Sequence, residues 1–311
     1  MDTFLVRRAA AGGGALLVAV LLLVVAVRAC GGAADPASDA GAEASPTPRP
    51  IELPGGGRQI FPHNRIVAFY GHPADDELGE LGIGSPDAAG RRLLEQARGY
   101  QTRRRKVLPV MELLATVATF DPGPDGTYRR RTTNGVIRRY LRAARKVDAL
   151  LVLDIQPGNA AFLPEAQHLE RWLREPDVGL ALDPEWHVEE GQVPGSVIGS
   201  VDAEDVNAVA AWLDDLTERL RLPQKLFIIH QFTEDMIKGK ERLRPHANLA
   251  TVLNADGFGS QEVKSAKYHD FTRGAPWTFD GFKLFYREDT DLMTPRQVMR
   301  MRPRPELIVY E

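Results

Sequence analysis

The chain has 311 residues, 43% of them hydrophobic and 26% charged, which suits one large globular domain with an appendage. A net charge of −3 excludes a general nucleic-acid binder, which needs a basic face. Cys30 is the only cysteine, so an intrachain disulfide and a thiolate zinc site are excluded as well.

Residues 9–27 form a 19-residue run of Ala, Gly, Leu and Val, preceded by Arg7 and Arg8. Residues 1–30 therefore read as an export signal or membrane anchor outside the fold. Val27-Arg28-Ala29-Cys30 resembles a bacterial lipobox, whose cysteine becomes lipidated, although Arg28 stands where that motif carries a small uncharged residue. The expectation is a protein on the extracytoplasmic face of the cell membrane, held by a lipid on Cys30 or by an uncleaved N-terminal helix. Arg7-Arg8 also suits a twin-arginine export route. Residues 31–58 are rich in Ala, Gly, Pro, Ser and Asp around Ser45-Pro46-Thr47-Pro48-Arg49-Pro50 and read as a spacer. The folded domain is then expected over residues 59–311.

Apolar runs at 66–70, 107–111, 149–153, 178–182, 225–229 and 249–253 read as parallel strands buried on both faces. A weaker run at 196–200 and another at 281–286 bring the count to eight. Helical spacing covers 87–105, 132–146, 164–175 and 202–222, with shorter helices near 234–242, 262–268 and 295–301. The basic run 103–106 reads as the solvated end of the first helix. Eight strands over about 250 residues predict a (β/α)8 barrel, with an open doubly wound parallel sheet as the alternative. The last run, 307–310, is an extra strand or a strap.

Both architectures place ligands at the carboxyl ends of the strands. Here those ends carry Asp154-Ile155-Gln156, Asp183-Pro184-Glu185-Trp186, His230-Gln231 and Asn254-Ala255-Asp256-Gly257. Side chains two apart on an extended segment share a face, so Asp183 and Glu185 both reach the mouth unless Pro184 breaks the extension. Asp154 ends the neighbouring strand. Crowded, partly buried carboxylates separate in pKa, which gives a proton donor beside an ionised partner, as glycosidic cleavage requires. Glu185 is the expected general acid, with Asp183 and Asp154 as nucleophile, base or electrostatic partner. Gln156, His230 and Gln231 would hydrogen-bond sugar hydroxyls or amides. Asp256 would orient a neighbour, and Trp186 and Trp277 would stack on sugar rings. The competing structural reading makes the Asp-Pro step a turn and the strand-end Asp residues helix caps. Lys264 and Lys267 fall on a solvated helix face, and Tyr70, Glu112 and Tyr286 reach the mouth without a task. No metal or cofactor is called for, and no phosphate-binding loop or serine elbow is present.

Over residues 64–310 the pattern resembles a group of uncharacterised secreted or lipid-anchored bacterial (β/α)8-barrel proteins related to glycoside hydrolases. The resemblance rests on 153–158, 181–185, Ile229-His230-Gln231-Phe232 and Asp256-Gly257-Phe258-Gly259. It implies a barrel and carries no particular reaction. Asp183-Pro184-Glu185 also resembles the tail of the chitinase Asp-x-Asp-x-Glu run. Gly71-His72-Pro73-Ala74-Asp75-Asp76-Glu77 resembles the His-Pro-Asp-Asp-Glu motif of zinc-dependent N-acetyl-sugar deacetylases, interrupted by Ala74. The expectation is a membrane-tethered, glycoside-hydrolase-like protein acting on a cell-envelope polysaccharide. The alternatives are a non-catalytic barrel that binds a wall polymer or a protein, and a zinc deacetylase.

Overall fold

The computed structural model describes residues 50–311. The expected anchor, the Cys30 lipidation site and the spacer up to residue 49 lie outside the described residues. Among the described residues no helix is long and apolar enough to cross a membrane.

Eight parallel strands are β1 (Asn64–Gly71), β2 (Lys106–Ala118), β3 (Leu150–Ile155) and β4 (Val178–Leu182), then β5 (Lys225–Gln231), β6 (Leu249–Ala255), β7 (Phe279–Leu284) and β8 (Leu307–Tyr310). Each pairs with the next in chain order, and β8 pairs back onto β1, so the sheet closes into a (β/α)8 barrel. Alternation explains why the runs read as continuously apolar. Ile66, Ala68, Leu108, Val110, Val152 and Ile228 fill the barrel interior, while Val67, Phe69, Met111, Leu151 and Phe227 point outward beneath the helices. Each of these side chains other than Ala68, fully buried, stabilises the fold by about 1.5–3 kcal/mol.

The outer layer is α1 (Pro86–Arg98), α2 (Asn134–Lys146), α3 (Phe162–His168), α4 (Glu170–Leu173), α5 (Ala203–Arg219), α6 (Gln261–Phe271) and α7 (Pro295–Val298). Ser85 caps α1 by accepting from the Ala88 N–H, and the helix buries Ala89, Leu93 and Ala97 against the sheet. It stops at Arg98, so the basic run 103–106 belongs to a loop and the start of β2 rather than to a helix end. Arg105 there pairs with Glu306 at 2.5 Å.

Three expectations change. Residues 196–200 form no strand: the following pair, Val201–Asp202, makes a small parallel ribbon with Ile237–Lys238 outside the barrel. Gly199 donates its N–H to the Glu185 carbonyl at 2.7 Å, which ties this segment across the end of β4 as a loop. The eighth strand is instead 307–310, whose four residues are all buried between β7 and β1. The helix expected near 234–242 shrinks to a single turn at Lys240–Arg242, following the ribbon. At the opposite end of the barrel Leu53, Ile60 and Phe61 are buried, with the Phe61 ring 4.2 Å from that of Phe279, so packing already begins ahead of residue 59.

Candidate active site

Every barrel strand delivers an inward polar side chain to one layer at the carboxyl end of the barrel, from mid-strand in the long β2 and at or just beyond the strand end in the others. In strand order these are Tyr70, Glu112, Asp154, Asp183, His230, Asn254, Lys283 and Glu311. Gln156 and Asp256 join them one step further along β3 and β6. Inward alternation puts them there: Glu112 continues the Leu108–Val110 face, and His230 continues the Leu226–Ile228 face. Gly281 lies against Asn254, where an added Cβ would sit 2.7 Å from Asn254 Oδ1, so a side chain at this point of β7 would collide with the layer.

His230 is the hub. Its Nε2 lies 3.0 Å from Glu112 Oε1 and its Nδ1 lies 2.9 Å from Asp256 Oδ2. Lys283 donates to Asp256 Oδ2 at 3.0 Å, pairs with Glu311 Oε2 at 2.7 Å, and stands 3.9 Å from the centre of the Tyr70 ring. Gln156 donates to Tyr70 Oη at 3.0 Å and to Asp183 Oδ2 at 3.3 Å, while its own oxygen accepts the Ala118 N–H. Glu112, Asp154 and Asn254 have no exposed surface, and His230 and Asp183 retain 1%.

The electrostatics follow from burial and sign. Burial, then Asp183, pushes the Asp154 carboxyl well above the usual carboxylate range. Burial likewise raises Asp183. Burial also opposes ionisation of Asp256, yet Lys283 and His230 hold it below the ordinary value. For His230 burial favours the neutral ring, but Glu112 and Asp256 outweigh it and raise its pKa. Lys283 is raised against its own burial by Asp256 and Glu311.

Glu185 sits above this layer. Pro184 does break the extension: residues Pro184–Trp186 form one 3-10 turn. Glu185 still feels Asp183, Asp256, Lys283 and His230, and burial followed by Asp183 pushes it up to about 9. Together with Trp186, Phe232 and Phe258 it lines a cavity of about 290 Å³.

Several expected binding residues serve the fold instead. Gln231 points out of the barrel and is consumed by the carbonyls of Thr233 and Glu234 and by Lys240, so it does not reach the mouth. Gln156 and His230 have their polar atoms occupied inside the layer, which leaves neither free for a sugar hydroxyl. Asp256 orients His230, as expected of it. Trp186 lines the cavity, whereas Trp277 packs against the outer core. Tyr286 lies outside the barrel, bonded to Gln96 and stacked on Tyr310. Lys264 is buried on Asp289 at 2.9 Å, and Lys267 donates to the Phe232 carbonyl at 3.0 Å, so neither forms a solvated face. His72 bonds to Thr132 Oγ1 at 3.0 Å and accepts the Ala74 N–H, Asp75 caps the Glu77 N–H, and Asp76 pairs with Arg287. The interrupted deacetylase motif thus brings no metal-binding set together. Among the described residues, the potential ligand set is a different one: one donor atom each from Glu112, Asp154 and His230, all within 4.8 Å of one another. Asn254 stands at a strand end already marked in the sequence, whereas Lys283 and Glu311 are found only by counting two residues at a time from the apolar part of each strand.

No protein-family model and no curated protein sequence matches the chain. Among solved structures it is similar to a catalytic lysine mutant of the Ruminococcus gnavus sialic acid aldolase, at 12% identity and a TM-score of 0.41, covering 82% of this chain and 69% of that one. An oxaloacetate acetylhydrolase in complex with 3,3-difluorooxalacetate is similar at 15% identity and a TM-score of 0.43, covering 80% and 75%. The endoglucanase Cel6 of Mycobacterium tuberculosis follows at 11% identity and a TM-score of 0.25, covering 70% and 61%. The reactions these names describe differ, and likeness at this level carries none of them over.

Proposed function

We propose that the barrel is a hydrolase that cleaves a cell-envelope glycan by carboxylate acid–base chemistry, with Glu185 protonating the leaving group. The observation that carries this reading is the placement of Glu185 between two environments. On one side is the cavity lined by Trp186, Phe232 and Phe258; on the other is the charged layer holding Asp183. Aromatic faces suit the apolar faces of sugar rings, and a half-buried carboxyl that keeps its proton at neutral pH suits a general acid. Asp183 and Asp154 lie beneath Glu185 as electrostatic partners and, with 1% and no exposed surface, do not reach the sugar carbon to attack it; the layer fixes Asp183 through Gln156 and Tyr70. The apolar segment and Cys30, as read from the sequence, would hold the domain at the extracytoplasmic face, beside such a polymer.

The test is release of reducing ends from a panel of envelope polysaccharides by the full-length protein, with Glu185→Gln alongside. Removal of a general acid should lower turnover by about 10²–10⁴-fold while the fold is kept. Unchanged turnover in Glu185→Gln overturns the assignment. Polymer binding without any release from the unmodified protein replaces it with the wall-polymer-binding barrel.

A further inference from the structure

The buried layer is short of positive charge and of donors. Among the described residues, Glu112, Asp154, Asp183, Asp256 and Glu311 have Lys283 and His230 as the cations within the layer, with Lys264 and Lys267 acting on Asp256 from outside it. Five buried acceptors there have no hydrogen-bond partner among the described residues: Glu112 Oε2, both oxygens of Asp154, Asp183 Oδ1 and Asn254 Oδ1. Buried polar atoms in native folds are almost always satisfied. Asp154 is the sharpest case, with no exposed surface and neither oxygen partnered.

We propose that Glu112, Asp154 and His230 bind one divalent transition-metal ion in the floor of the barrel mouth. The three donor atoms come from three strands and already lie within 4.8 Å of one another. Bonds of 2.0–2.2 Å to one ion would separate ligand atoms by about 3–3.5 Å. His230 Nε2 and Glu112 Oε1, 3.0 Å apart, already span such an edge, and the Asp154 donor lies within 4.8 Å of both. The outer contacts fit as well. Nδ1–H of His230 donating to Asp256 leaves the Nε2 lone pair directed at the ion, and Lys283 pins Asp256 in turn. Two carboxylates with one imidazole favour a manganese- or zinc-type ion over calcium, which takes oxygen donors alone. This set shares no residue with the interrupted His72 motif. It shares Asp154 with the acid–base reading of the same mouth, but its test reads ion binding and not turnover.

The experiment strips the full-length protein with EDTA and titrates it separately with Mn²⁺ and Zn²⁺, read by calorimetry and, for Mn²⁺, by electron paramagnetic resonance. One ion per chain is expected for at least one metal. Asp154→Asn and Glu112→Gln should each weaken it at least about 100-fold, and Asp256→Asn about 10–100-fold. Glu185→Gln should bind the ion like the unmodified protein, which separates failure of this site from failure of the acid–base reading. Absence of saturable binding by either ion in the unmodified protein overturns the proposal without reliance on any variant. So does unchanged affinity in a folded Asp154→Asn protein.

Discussion

Lys283→Met tests whether the charged layer is held together as its geometry implies. The ammonium bridges Asp256 and Glu311 at 3.0 and 2.7 Å with 3% of the residue exposed. Asp256 keeps His230 and the Gly257 N–H when the lysine is lost, whereas no other hydrogen bond or ion pair to the Glu311 side chain is present among the described residues. Removing one partner of a buried pair costs about 3–5 kcal/mol. For a domain of this size that corresponds to a fall in Tm of roughly 6–20 °C. The pH dependence has a definite sign. The folded pKa of Lys283 is raised, so its contribution is complete below the ordinary lysine range and fades only as pH climbs beyond it. In the variant, Glu311 is already raised by burial and loses the cation that opposed this, so the penalty is largest where it must ionise and shrinks as acid supplies a proton. Urea denaturation at pH 7.5 and pH 5 measures both effects, and adding Glu311→Gln should restore part of the loss. A penalty below about 1 kcal/mol, typical of exposed pairs, would refute the reasoning; so would a penalty that grows on acidification.

Glu185 makes two further predictions. Turnover should be lost as pH rises through about 9, where the acid surrenders its proton. Because that carboxyl binds its proton more tightly folded than unfolded, the native protein loses stability above the ordinary carboxylate range; Glu185→Gln should melt higher than the unmodified protein at pH 8 and close to it at pH 4. Glu165 pairs with Arg129 and Arg131 at 3.0 and 2.7 Å and, despite burial, these arginines hold its pKa low. Its stabilisation is present above the ordinary glutamate range and lost as pH falls through the lower folded value; Glu165→Gln should cost about 1–3 kcal/mol in urea at pH 7 and little near pH 2. In Gly199→Ala the added Cβ would lie 2.2 Å from the His187 carbonyl oxygen. The variant should lose about 1–3 kcal/mol and, by shifting the backbone that anchors Glu185, some turnover; an unchanged Tm together with unchanged kcat would contradict this.

The sequence by itself determined a parallel sheet alternating with helices and favoured a closed barrel over an open doubly wound sheet. Its apolar runs are long enough, and buried enough on both faces, that seven of the eight strands lie on the expected runs. It also put Asp154, Asp183 and Glu185 at adjoining strand ends, because neighbouring strands in a parallel sheet present their ends together. Tertiary structure decided the rest. Only closure could choose 307–310 over 196–200 as the eighth strand, since the choice depends on which run finds two partners, and no local signal reports that. Likewise, only packing could turn Gln231 outward, occupy Gln156 within the layer, and draw Glu112, Asn254, Lys283 and Glu311 in around His230. Those four are spread over 200 positions of the chain, and their attraction exists only where strand order and inward alternation make them neighbours.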